Sequence, residues 1–101
     1  MKGVWSWPAD AEGQSRVLRK IATEDELAQV LIALAANPDG LSNSQLDRML
    51  GNNSQWRTLS HTRELAALGF IEYQVPYFGD PGKYTLTELG RSVLPRIQAG
   101  N

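Results

Sequence analysis

Between Asn53 and Arg63 the 101-residue chain gathers Asn53, Ser54, Trp56, Arg57, Ser60, His61 and Arg63. This run is rich in side chains that recognise by hydrogen bonding rather than react. A planar guanidinium can grip two acceptors at once, and a carboxamide pairs a donor with an acceptor. Arg57 therefore suits guanine O6 and N7, and Asn53 suits adenine N6 and N7. Small hydroxyls beside a helix N-terminus suit anionic oxygens, helped by the positive end of the dipole. Ser42, Ser44 and Ser54 stand at such places. Further along, Lys83 adds a cation near the aromatic pair Tyr77 and Phe78.

Reactive chemistry has less to work with. The chain has no cysteine and one histidine, so thiol nucleophiles and zinc–thiolate sites are excluded and a histidine-rich metal site is not expected. Asp39, Asp47, Glu64, Glu72 and Glu88 are scattered, without the paired spacing of a general acid and base. Ser60 and His61 are adjacent, so on a helix their side chains diverge by about 100° and cannot form a nucleophile–base pair. Gly79 and Gly82 serve a turn rather than a phosphate cradle. The expectation is a binding protein without enzymatic activity, metal or cofactor.

Composition sets the frame for these residues. Apolar residues make up 42% and charged residues 21%, a globular balance. Area scaling buries about 65% of the surface of such a chain, enough for one modest core. Ten basic residues against eleven acidic ones give a formal charge of −1, so nothing draws the whole chain toward a polyanion. No apolar run approaches the roughly 20 residues of a membrane span. Met1 to Pro8 lack the apolar stretch of a signal peptide. A cytoplasmic protein without membrane contact is expected.

The elements that position the candidate residues are legible in order. Residues 1–22 form an arm, with Trp5, Trp7 and Pro8 ahead of an Asp10 cap and a short helix through Val17, Leu18 and Ile21. Arg16, Arg19 and Lys20 make it basic, most simply as a solvated face. Trp5 and Trp7 cover either a subunit interface or the back of the domain. Thr23 to Glu26 has the pattern of a capping box. Leu27, Val30, Leu31 and Leu34 then mark a helix over 24–36, stopped by Asn37-Pro38-Asp39-Gly40. Ser42 to Gln45 repeats the box ahead of a two-turn helix over 43–50, with Gly51 as its C′ residue. A third helix spans 54–68.

After Gly69 the period changes from 3.6 to 2. Residues 70–75 and 83–86 read as two strands around a Pro- and Gly-rich loop. Thr87 caps a final helix over 88–98, where Pro95 predicts a kink or early end. The chain divides into the arm, a main domain over 23–94 and a tail over 95–101. The fold class is α+β, mainly helical, with a three-helix core, a two-stranded hairpin and extra terminal helices.

Two short-linked helices followed by a hairpin make a helix-turn-helix with a wing. Leu65-Ala66-Ala67-Leu68-Gly69-Phe70-Ile71 resembles the way MarR, ArsR and PadR regulators leave the recognition helix. Leu86-Thr87-Glu88-Leu89-Gly90-Arg91 resembles their Leu-Thr-x-x-Gly-Arg exit from the wing. Ser60-His61 is similar to the Ser-x-His of ArsR-type helices, one residue shorter. The resemblance covers roughly residues 24–94.

It implies a winged helix-turn-helix transcriptional regulator that reads double-stranded DNA. Helix 54–68 would enter the major groove through Asn53, Ser54, Trp56, Arg57, Ser60 and Arg63. Ser42 and Ser44 would touch backbone, and the wing over 76–83 would offer Tyr77, Phe78 and Lys83. The register implied by the resemblance buries Thr58, Thr62 and Leu65 and leaves Leu59 marginal. A purely hydrophobic register buries Leu59 and Ala66 instead. Both turn Asn53, Arg57 and Ser60 outward, but they disagree over Trp56 and Arg63. Trp56 suits packing more than base contact, Tyr77 and Phe78 could fold back on the hairpin, and His61 reads as a hydrogen-bonding residue of the helix surface.

The weak charge of one copy predicts a homodimer, formed through the arm and the last helix. The rival is a winged helix that binds a protein partner and no DNA. A third reading is a sensor whose dimer interface takes a small-molecule effector, lined by Trp5 and Trp7.

Overall fold

The computed structural model describes residues 7–51, 55–75, 78–79 and 82–98, without the side chains of Asp25, Gln55 and Trp56. Helices run over Ala11–Thr23 (α1), Asp25–Ala36 (α2), Asn43–Leu50 (α3), Gln55–Ala67 (α4) and Glu88–Gln98 (α5). Two antiparallel strands, Ile71–Gln74 (β1) and Lys83–Leu86 (β2), stand between α4 and α5. The architecture is a small, mostly helical α+β domain with one two-stranded sheet.

Local chemistry starts most of the helices. Asp10 caps α1 by accepting from the Gly13 amide at 2.8 Å. Ser42 and Gln45 complete a reciprocal capping box on α3. Thr87 accepts from the Gly90 amide at 3.0 Å and so starts α5.

The α1–α2 junction departs from expectation. α1 continues through Thr23, whose hydroxyl donates to the Lys20 carbonyl at 2.8 Å. Glu24 is at once the last cap of α1 and the first of α2, and makes no side-chain cap bond. With Thr23 inside a helix, the expected Thr23–Glu26 box has no N-cap to build on. Glu26 turns instead toward α4.

Two glycines shape the passage through the sheet. Gly69 has a φ of +84°, left-handed geometry that lets α4 reverse straight into β1. Gly90 lies so close to the Phe70 carbonyl that a Cβ there would collide with backbone. The Thr87 amide donates to that same carbonyl at 2.9 Å, and the Thr87 hydroxyl donates to the Gly69 carbonyl at 2.6 Å. The Leu-Gly-Phe and Leu-Thr-x-x-Gly segments thus form one junction, clamping α5 onto the root of the hairpin.

A two-stranded sheet is marginal by itself. Here β2 also exchanges two backbone hydrogen bonds with Leu41, at 3.0 and 2.8 Å, which ties it to the loop between α2 and α3. Tyr73 and Tyr84, opposite each other in register, meet at a 49° tilt with 5.0 Å between ring centroids.

The core gathers Leu27, Val30, Leu31 and Leu34 of α2, Leu46 of α3, Leu65 of α4, Phe70, and Val93, Leu94 and Ile97 of α5. Leu18 and Ile21 of α1 belong to it as well, and α1 packs on α2 and α5. Trp7 meets Phe70 edge-on at 5.1 Å. The segment read as an arm is therefore a wall of the domain. α5 continues through Pro95 to Gln98, so residues 95–98 are helix rather than tail. Burial of Val93, Leu94 and Ile97 offsets the one amide hydrogen bond that Pro95 cannot make.

Candidate nucleic-acid interface

The orientation of α4 decides which side chains could meet a ligand. Thr58, Thr62 and Leu65 are fully buried, Leu59 is half-buried and Ala66 is exposed. The helix thus adopts the register implied by the resemblance and not the purely hydrophobic one. Hydrogen bonding by the two inward threonines supports the choice. The Thr58 hydroxyl donates to Asp47 Oδ1 of α3 at 2.8 Å, and the Thr62 hydroxyl donates to the Leu59 carbonyl at 3.0 Å. A buried hydroxyl with a partner is tolerated where a bare one would be costly.

With that face inward, Arg57, Ser60 and Arg63 are exposed on the opposite side. They share one surface of α4. Trp56 lies in the first turn of the helix, its side chain outside the described atoms. Asn53, Ser54 and Tyr77 lie outside the described residues.

The remaining candidates sit on neighbouring elements. Ser44 is exposed in the first turn of α3, which packs on α4. Ser42 is half-buried, its oxygen engaged by the Gln45 amide at 3.2 Å. A role for Ser42 is thus first a structural one, as the cap of α3. In the hairpin, Phe78 is fully solvent-exposed, at 102% of its reference area, and does not fold back on the strands. Lys83 is exposed at the start of β2, opposite Gln74.

One partner was missed from the sequence. Glu26 of α2 points its Oε1 at two residues of α4, lying 2.6 Å from His61 Nε2 and 3.4 Å from Arg57 Nε. His61 is mostly enclosed, its side chain 16% exposed, and its Nδ1 is buried without a hydrogen-bond partner. Nε2 is the donor in this contact, because a carboxylate can only accept. Thirty-five residues separate Glu26 from His61, so no local pattern announces the contact.

Trp7, proposed to line an effector pocket, packs against Phe70 of its own chain, and Trp5 lies outside the described residues. Among the described residues no cluster of three or more His, Cys, Asp or Glu could hold a metal ion, and no helix is long and apolar enough to cross a membrane. An apolar groove of about 190 Å³ runs between α2 and α3, lined by Ile32, Ala36, Met49 and Leu50 among others. No protein-family model, curated protein or solved structure matches the chain.

Proposed function

We propose that this chain is a winged helix-turn-helix domain that binds double-stranded DNA as a transcriptional regulator. In this reading α4 enters the major groove and the hairpin over 76–83 lies against the neighbouring backbone or minor groove. The observation that carries it is the α4 register: two buried, hydrogen-bonded threonines turn Arg57, Ser60 and Arg63 together toward solvent. Arginines there could take guanine edges or phosphates, and Ser60 could take either. Ser44 lies at the start of α3, and Lys83 and Phe78 extend from the hairpin, where a wing would touch DNA.

With a formal charge of −1, one copy gains little from counterion release, so the proposal includes a homodimer that doubles the phosphate contacts. The described apolar faces of α1 and α5 are engaged within the chain. The dimer surface would therefore lie elsewhere than on those two faces.

A gel-shift titration with random-sequence duplex at two salt concentrations tests the reading. Affinity should fall with salt at a log–log slope of about −0.9 per phosphate contact. Arg57→Ala or Arg63→Ala should weaken binding to a preferred site by about 1–3 kcal/mol. Sedimentation of the same complex gives the number of copies bound. Absence of any shift would favour a second reading, a protein-interaction module, for which the α2–α3 groove with its exposed Met49 is the supporting observation.

A further inference from the structure

We infer that Glu26 is a competitor built into the proposed interface, holding Arg57 back from a duplex, and that protonation of His61 relaxes this hold. The inference rests on the duplex-binding reading above and concerns how the same surface is regulated.

The geometry is a three-way contact on one oxygen. Glu26 Oε1 receives His61 Nε2 at 2.6 Å and Arg57 Nε at 3.4 Å. The Arg57 side chain is 65% exposed, whereas those of Glu26 and His61 are 31% and 16% exposed. An exposed cation of the proposed reading face is therefore tied to a carboxylate anchored in the α2–α4 seam. A phosphate or base edge must displace that carboxylate to take Arg57.

The charge on His61 changes the balance. While the ring is neutral it lends Glu26 one neutral hydrogen bond, and Arg57 is the cation that balances the carboxylate. Once protonated, the closer and more enclosed imidazolium takes over that role through a charge-assisted bond, at the cost of a new Nδ1–H on a buried nitrogen without a partner. Arg57 is then left as surplus positive charge on the exposed face.

The neighbouring elements carry other charged groups. On α3, Asp47 accepts from Thr58, and Arg48 is exposed. At the cap between α1 and α2, Glu24 pairs with Lys20 at 3.8 Å. On β1, Glu72 accepts from Gln74. On α4, Arg63 is exposed and Glu64 half-buried. Among the described residues, the carboxylate that reaches His61 is that of Glu26.

Fluorescence anisotropy of a labelled random-sequence duplex, at pH 8.0 and pH 5.5 and constant salt, tests the inference with Arg57→Ala, Glu26→Gln and His61→Gln. At pH 8.0 Glu26→Gln should bind up to about fivefold more tightly than wild type, the range that a partly exposed ion pair is worth. That gain should shrink at pH 5.5. Arg57→Ala should lose more affinity at pH 5.5 than at pH 8.0 in the wild-type background, and equally at both in the Glu26→Gln background. Comparing variants at one pH cancels the general effect of acid on the protein's charge. His61→Gln keeps a donor for Glu26 but cannot titrate, so it should make the Arg57→Ala loss independent of pH. It also serves as the test should Glu26→Gln fail to fold by circular dichroism. Duplex binding with an Arg57→Ala loss equal at both pH values, and no gain from Glu26→Gln, overturns the inference and leaves the DNA reading standing. No duplex binding by wild type or variants at either pH overturns both.

Discussion

A threonine without solvent exposure needs a hydrogen-bond partner, and the two in α4 find theirs differently. Thr58 donates across the helix pair to Asp47, whereas Thr62 donates to a carbonyl one turn back in its own helix. Valine matches threonine in shape and removes the hydroxyl. Thr58→Val should therefore cost about 1–3 kcal/mol, because a half-buried carboxylate loses its donor. Thr62→Val should cost less than about 1 kcal/mol, since the Leu59 carbonyl remains part of the helix ladder. Urea unfolding of both variants would show the difference, and equal losses would mean that Asp47 is not what fixes the register. At this scale the sequence was ambiguous. A hydrophobicity count favours burying Leu59 and Ala66, whereas the Asp47 acceptor on a separate helix suits Thr58 to the inward face. The Glu26–His61 contact was illegible for a similar reason, with Glu26 having a reasonable local role as a cap.

Elements were more legible than their contacts. Asp10, Ser42 with Gln45, and Thr87 mark helix starts through bonds that span three residues. The change of period after Gly69 marks the hairpin. What the sequence did not reveal is that the two exits of the hairpin touch. Thr87 binds the carbonyls of both Gly69 and Phe70, and Gly90 allows α5 to approach the latter. Gly90→Ala would force that contact apart while improving helix propensity. The steric term should win, with a net loss of about 1–3 kcal/mol. Thermal unfolding should report it as a fall in Tm of about 4 °C or more. A rise in Tm would show that helix and hairpin root separate without penalty. Pro95 teaches the converse lesson, since a rule about one hydrogen bond yields to three buried side chains packed around it.

For the whole molecule, the first helix matters more than its reading as an arm implied. Leu18 and Ile21 are buried against the rest of the core, and Trp7 adds an edge-on contact to Phe70. Burial of two such aliphatic side chains is worth about 3–6 kcal/mol, a large part of the roughly 5–15 kcal/mol that holds a domain of this kind together. Deleting residues 1–23 should accordingly leave a chain at the margin of folding, with a urea midpoint far below that of the full protein or no cooperative transition. An unchanged midpoint would restore the picture of a detachable arm.

By itself the sequence determined the order of the described helices and strands and, after the first helix, their bounds to within a residue or so, because caps, turns and hydrophobic periods act among residues a few positions apart. Tertiary structure alone decided which face of α4 is buried, that α1 is part of the core, and that Glu26 meets both His61 and Arg57. Each of those outcomes depends on a partner supplied by a distant part of the chain, whose distance and direction no local spacing encodes.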